Sequence, residues 1–192
     1  MTAPLDSVKA SLRELIRARL KDLPAAERVA ASALLCARLQ KQPAWAAAKS
    51  VLFFAPLPDE LDLWQLLNEA IAAGKTVALP AFVPGTNSYT ARQIIDPVRD
   101  IIAGQFSIRE PVAACAEVPV NRLDLVLVPG VAFDARGGRL GRGKGFYDRL
   151  LADVRGIKCG VAFDEQIVDA VPVGPLDIRL NCILTPTRWI ET

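Results

Sequence analysis

SVLFFAPLPDELDLWQLLNEAIAAGKTVALP, residues 50 to 80, is the stretch that decides the fold. Its first six residues, SVLFFA, form an unbroken apolar run with no polar face. A strand of that kind is buried on both sides, as in a parallel sheet covered by helices. A polar loop follows, then a helical stretch from Asp62 to Ala73 closed by Gly74, a residue suited to the left-handed turn that ends a helix. KTVALP, residues 75 to 80, is the next strand. Strand, helix, strand in this order implies a parallel pair joined by a helical crossover.

Working outward, DLVLVPG (124 to 130) and KCGVAF (158 to 163) supply two more buried strands. Toward the amino terminus, residues 6 to 21 place Val8, Leu12, Leu15 and Ile16 on one helical face, with Asp6 positioned as N-cap after Pro4. Leu23-Pro24 breaks that helix. Residues 25 to 41 resume helical spacing through Val29, Ala33, Leu34 and Leu39, so a helical hairpin opens the chain. Gly85-Thr86-Asn87 is a turn inside a small β-hairpin insertion near residues 82 to 94, and Asp96-Pro97 has the form of an N-cap with proline at the first helical position. The expectation is one three-layer α/β domain over residues 1 to 192, with a mostly parallel sheet.

The composition narrows the chemistry. The 192 residues are 52% hydrophobic and 23% charged, with 23 basic against 21 acidic side chains. A net charge of +2 is too balanced to make a nucleic-acid surface by itself, so basic chemistry must be local. There is no histidine, which excludes Ser-His-Asp and Cys-His catalysis and His-ligated zinc or haem. Cys36, Cys115, Cys159 and Cys182 contain no Cys-x-x-Cys pair and read as buried free thiols. Charges run through the first 20 residues, and the apolar runs are short and interrupted by proline. These features predict a soluble cytoplasmic protein without a membrane span.

Chemistry concentrates in FDARGGRLGRGKGFYDRLL, residues 133 to 151. Five glycines, three arginines and a lysine lie between Arg136 and Gly145, and a helix is predicted from about Phe146. Glycines let backbone N–H groups approach an anion, while Arg139, Arg142 and Lys144 neutralise it. The segment reads as a phosphate cradle. Gly138 to Lys144 also satisfies G-x-x-x-x-G-K, but Gly145 stands where a Walker loop needs a hydroxyl for Mg²⁺. Asp148 is the nearest carboxylate. A solvated surface hairpin and an RGG-like single-strand binder are the bland alternatives; the direct passage into an apolar helix argues for a folded site. A second constellation, APLPDELDLW (55 to 64), puts Asp59 and Glu60 at a strand's carboxyl end, where open α/β sheets bind ligands. Helix capping by either residue is an equal reading. Asp177 is a third candidate, with a turn role as its alternative.

Taken in order, these segments resemble the 5-formyltetrahydrofolate cyclo-ligase family across nearly the whole chain. The resemblance rests on Lys9-x-x-x-Arg13, PDELDL with Glu60, VALP, FSIREP at 106 to 111, and above all DLVLVPGVAFDARGGRLGRGKGFYDRLL followed by VAFDEQIVDAVPVGPLD. It implies ATP-dependent cyclisation of 5-formyltetrahydrofolate to 5,10-methenyltetrahydrofolate, with Mg²⁺, ADP and phosphate. It also implies that Lys9, Arg13 and the run Arg139, Leu140, Gly141, Arg142, Gly143, Lys144, Gly145, Phe146 and Tyr147 serve ATP. Phe54, Ala55 and Glu60 would contact the folate, joined by Arg142 to Phe146, with Lys144 and Arg142 catalytic and Asp148 and Asp177 on the metal. Nothing in the spacing selects Lys9 and Arg13 apart from the resemblance. The tail departs from many relatives in having Leu176 before Asp177, and Asn181 four residues later. The implied partners are the two small-molecule substrates, with no nucleic acid or membrane, and the implied state is a monomer or weak homodimer.

Overall fold

The computed structural model describes residues 4–104 and 108–192. Helices α1 (Leu5–Lys21) and α2 (Ala25–Gln40) form the opening hairpin, and a short α3 (Pro43–Ala47) leads into strand β1 (Ser50–Leu52). Helix α4 (Trp64–Ala72) crosses to β2 (Thr76–Val83), which turns into β3 (Ser88–Ile94). Helix α5 (Pro97–Asp100) precedes a hairpin of β4 (Ile101–Ala103) and β5 (Arg109–Pro111). Then come β6 (Leu125–Val128), the pair β7 (Ala132–Asp134) and β8 (Arg139–Leu140), and helix α6 (Phe146–Ala152). The remaining strands are β9 (Ile157–Val161), β10 (Ile167–Val168), β11 (Cys182–Leu184) and β12 (Trp189–Glu191).

The main sheet has the order β12-β11-β9-β6-β1-β2-β3. Its five inner strands are mutually parallel, with antiparallel strands on both edges. Alternation along each strand divides the core in two. Val51, Val77, Leu79, Leu125, Leu127, Cys159 and Leu184 face one side with Ile16, Leu20, Leu35, Leu39, Leu66 and Leu67 from α1, α2 and α4. Leu52, Ala78, Val126, Val128 and Ile183 face the other with Leu150 and Leu151 from α6. Three layers result, as expected for period-2 strands that are apolar on both faces.

Among the parallel strands β1 lies between β2 and β6, so the chain winds one way from β1 to β2 and the other way from β6 onward. A crevice opens where the winding reverses, at the carboxyl ends of β1 and β6. Phe54 and Ala55 follow one strand into it, and Pro129 and Gly130 follow the other.

Several local expectations are corrected. Helix α1 starts at Leu5 behind Pro4 without a side-chain cap, and Asp6 falls within the first turn. Its buried residues are Ile16 and Leu20, whereas Val8 and Leu15 are exposed. Likewise α2 buries Leu35 and Leu39 and leaves Val29 and Leu34 to solvent. Each helix touches the sheet through one i, i+4 seam, narrower than its apolar content suggests. The β-hairpin is part of the main sheet, its first strand being the parallel strand β2 itself. Asp96 does cap α5, accepting from the Val98 N–H at 3.0 Å. Neither Asp59 nor Glu60 caps α4, whose N-cap position is Leu63 without a side-chain cap; one residue before it, Asp62 Oδ1 accepts from the Trp64 N–H at 2.8 Å.

All four cysteines are free, but only Cys159 and Cys182 are buried, facing each other across β9 and β11. Cys36 and Cys115 are half-buried. Burial, helped by nearby Asp62, pushes the Cys36 thiol up to about 11, away from a nucleophilic thiolate. No helix among the described residues is long and apolar enough to cross a membrane.

Candidate active site

The glycine-rich segment begins on the β7–β8 hairpin. Asp134, nearly fully buried, closes its turn by accepting the N–H groups of Arg136 and Gly138, and ties the turn to the tail through the Val171 N–H at 2.7 Å. Beyond β8 the chain passes through Gly143 and Gly145 at φ values of 100° and 66° before α6 begins. These left-handed conformations cost little only for glycine, and they curl residues 141 to 145 back over the crevice.

Charged side chains from distant parts of the sequence converge on this loop. Arg13 Nε donates to the Gly141 carbonyl oxygen at 2.9 Å. Lys9 Nζ, one turn earlier on α1, lies 2.5 Å from Asp177 Oδ2, which also accepts the Gly174 N–H. Arg139 is buried beneath the loop, donating to Asp148 Oδ1 at 2.8 Å and to the Pro129 carbonyl, with its guanidinium over the Tyr147 ring. Its Nε is buried and has no partner among the described residues. Arg142 Nη2 reaches across the opening to Asp59 at 2.8 Å and Glu60 at 3.0 Å. Lys144 is exposed at the rim, and no hydrogen bond or ion pair engages its ammonium among the described residues.

Electrostatics follow from this packing. Burial pushes the Glu60 carboxyl above its ordinary value, although the Leu57 N–H and Arg142 pull the other way. Burial also opposes the charge on Asp177, but Lys9 and the Gly174 N–H outweigh it and leave the carboxyl below the usual range. Tyr147 is raised well above the ordinary phenol by burial, and Tyr89 is raised by burial and then by the charge of Glu110.

The crevice has a volume of about 480 Å³. Of the residues the sequence nominated, Lys9, Arg13, Phe54, Ala55, Glu60, Asp148, Asp177 and the continuous run Arg139 to Tyr147 line it. Asp59 is outside the lining, though paired with Arg142. Sequence reasoning missed Asp6, Pro80, Tyr89, Arg109, Glu110 and Gly130, which also line the crevice. Pro80, Arg109, Glu110 and Gly130 had a signal, since VALP, FSIREP and DLVLVPG contain them, whereas Tyr89 had none. Residues 106 and 107 of FSIREP lie outside the described residues. Asn181 is not in the lining: its Oδ1 accepts the Lys158 N–H at 2.9 Å, a contact that joins the start of β11 to β9.

No group of three or more Asp, Glu or Cys side chains among the described residues forms a metal cage. Asp148 and Asp177 each hold a cation of the protein instead. Mg²⁺ keeps several waters and needs only one or two carboxylates when phosphate oxygens supply the rest. Two hard oxygen donors beside a glycine-rich loop lined with cations fit that demand, and no preformed protein site is required.

The crevice can therefore cradle a polyphosphate against Lys9, Arg13, Arg139 and the loop, and hold a second ligand between Glu60 and the rings of Phe54, Phe146, Tyr147 and Tyr89. A family model described as the 5-formyltetrahydrofolate cyclo-ligase family matches residues 6–186. The chain is 33% identical over 181 residues to the 5-formyltetrahydrofolate cyclo-ligase of Escherichia coli (strain K12), covering 92% of this chain and 100% of that protein. It is 27% identical to the Mus musculus protein of the same name, with 94% of each chain covered. The solved structure of Aquifex aeolicus 5,10-methenyltetrahydrofolate synthetase superposes with a TM-score of 0.86 at 34% identity, covering 96% of this chain and 92% of that one. The glycine-rich cradle, the crevice at the winding reversal and these similarities together show that the chain belongs to the 5-formyltetrahydrofolate cyclo-ligase family.

Proposed function

We propose that the crevice binds ATP and 5-formyltetrahydrofolate side by side and converts them to 5,10-methenyltetrahydrofolate, ADP and phosphate. One observation carries this reading: Arg142, from the phosphate cradle, is hydrogen-bonded to Glu60, the largely buried acceptor in the loop that follows β1. The two half-sites are thus within one side chain's reach. The formyl oxygen attacks the γ-phosphorus and ADP leaves with the electrons of the broken P–O bond. Nitrogen 10 then adds to the activated carbon, loses its proton, and the phosphate oxygen departs as the ring closes.

Lys9, Arg13, Arg139 and the N–H groups of residues 141 to 145 hold the phosphates. Lys144 and Arg142 neutralise the charge that builds on the transferring group, the largest contribution in a reaction that depends on positioning and electrostatics. Glu60 accepts N–H groups from the amino-pyrimidinone edge of the pterin, with Phe54 and Ala55 beside it and the Arg142 to Phe146 segment above. Asp148 and Asp177 would hold Mg²⁺ against the phosphates, where it supplies further charge neutralisation. Residues 1 to 192 act as one catalytic domain in the cytoplasm, as a monomer or weak homodimer, without nucleic-acid or membrane partners. Incubation with Mg-ATP and 5-formyltetrahydrofolate tests the reading through the ultraviolet absorbance of the methenyl product. Its absence would overturn it.

A further inference from the structure

The ring closure releases a proton from nitrogen 10, and the crevice contains no imidazole to take it. Its carboxylates differ sharply in availability. Asp148 is bonded to Arg139, Asp177 to Lys9 and the Gly174 N–H, and Glu60 to Arg142 and the Leu57 N–H. Asp6 stands exposed on the first turn of α1. Glu110 is different. It is 8% exposed, it lines the crevice, and among the described residues only its Oε2 is engaged, by the Phe82 N–H at 3.1 Å. Its Oε1 is buried with no partner among the described residues. A buried oxygen in that state is costly unless something else completes it, so it is a place to look for a ligand.

Its surroundings fix which ligand group. β5 carries Glu110 against β2, and Gly104 leaves the room its side chain fills, since a Cβ there would lie 2.5 Å from the carboxyl carbon. The rings of Phe82, Tyr89 and Phe146 make edge-to-face contacts at 5.2 to 6.0 Å around this corner. From there Tyr89 leads to Tyr147, whose ring lies under Arg139. Glu110 therefore sits at the aromatic corner of the crevice, beside Phe82 and the rings packed on it.

We infer that Glu110 Oε1 accepts the nitrogen 10 proton during ring closure, a role that rests on the cyclisation proposed above. The nitrogen lone pair forms the new bond to the formyl carbon, and the N5–C π pair withdraws onto nitrogen 5. The N–H bonding pair stays on nitrogen 10 as its proton passes to Glu110. The N5 pair then expels the phosphate oxygen with its bonding electrons, and the proton leaves to solvent with the products. An arylamine nitrogen that has just added to carbon is strongly acidic, so a carboxylate is a strong enough base.

Glu110→Gln tests this, because the amide oxygen still accepts the Phe82 N–H while the basic oxygen is lost. ADP and methenyl product are followed in one enzyme turnover, by rapid quench and by absorbance. In the wild type both appear; failure of the wild type to make methenyl product would refute the cyclisation reading itself. In Glu110→Gln the expected result is ADP formation at the wild-type rate with methenyl formation about a hundredfold slower, the effect of losing a general base. Methenyl formation within threefold of wild type, or equal slowing of both products, would overturn the role. Should Glu110→Gln fail to fold, Glu110→Asp, which withdraws the carboxylate by one methylene, must slow the same step selectively for the inference to stand.

Discussion

Arg142 Nη2 sits 3.0 Å from Glu60 Oε1, joining a loop on the carboxyl side of β8 to the loop that follows β1, 82 residues away in sequence. The Glu60 side chain is only 11% exposed, so its negative charge needs a partner whether or not a ligand is bound. Arg142 meets that need in the free protein. A pterin edge offering two N–H donors can replace it, releasing Arg142 toward the phosphates.

Glu60→Ala should therefore raise the KM for 5-formyltetrahydrofolate and leave ATP affinity nearly unchanged. Titrating one ligand at a time gives the comparison. Equal weakening of both, with the fold intact, would reduce Glu60 to a structural partner of Arg142 and Leu57.

Lys144→Ala should lower kcat by about a hundredfold, or about 3 kcal/mol, the typical effect of losing one transition-state donor. Thermal stability should stay at the wild-type level, because the side chain is exposed and its ammonium has no partner among the described residues. An unchanged kcat would remove Lys144 from the mechanism.

Asp148→Asn should weaken productive Mg-ATP binding and spare folate. The same change leaves Arg139, 3% exposed at its side chain, without its charged acceptor. Stability should then fall by about 1–3 kcal/mol, the cost of a compromised hydrogen bond to a buried charge. Calorimetric titration with ATP and a thermal melt measure the two effects separately; intact Mg-ATP binding would exclude Asp148 from the metal.

The ion pair between Lys9 and Asp177 makes a pH prediction. Asp177 has its folded-state pKa below the unfolded value, so its contribution to stability is present above the ordinary carboxylate pKa of about 4. That contribution disappears as pH falls through the lower folded-state value. Wild type should exceed Lys9→Met in stability at neutral pH, and denaturant titrations should show the gap closing below about pH 4. A gap independent of pH would mean that Lys9 acts through packing alone.

How much of this was legible in sequence depended on range. Four of the five inner strands were readable because parallel strands are apolar on both faces, whereas β11, three residues long, drew no such reading; the glycine-rich loop was readable because its glycines and cations are contiguous. Glu60 was readable from its position after a strand. By contrast, Lys9 meets Asp177 across 168 residues, and nothing local on α1 distinguishes Lys9 or Arg13 from other solvated cations. Asp6 had the spelling of an N-cap, yet the helix began one residue earlier and turned it into a crevice residue. Glu110 and Tyr89 gain significance only when β5 and β3 are packed beside β2, a tertiary fact without a periodic signature.

The most direct test of the account is the fate of the formyl oxygen. With ¹⁸O in the formyl group, a single turnover with Mg-ATP should place one labelled oxygen in inorganic phosphate for each methenyl product formed, because that oxygen attacks the γ-phosphorus and leaves with it. Unlabelled phosphate alongside methenyl product would contradict phosphorylation of the formyl oxygen, and ADP formation independent of folate would contradict the shared crevice.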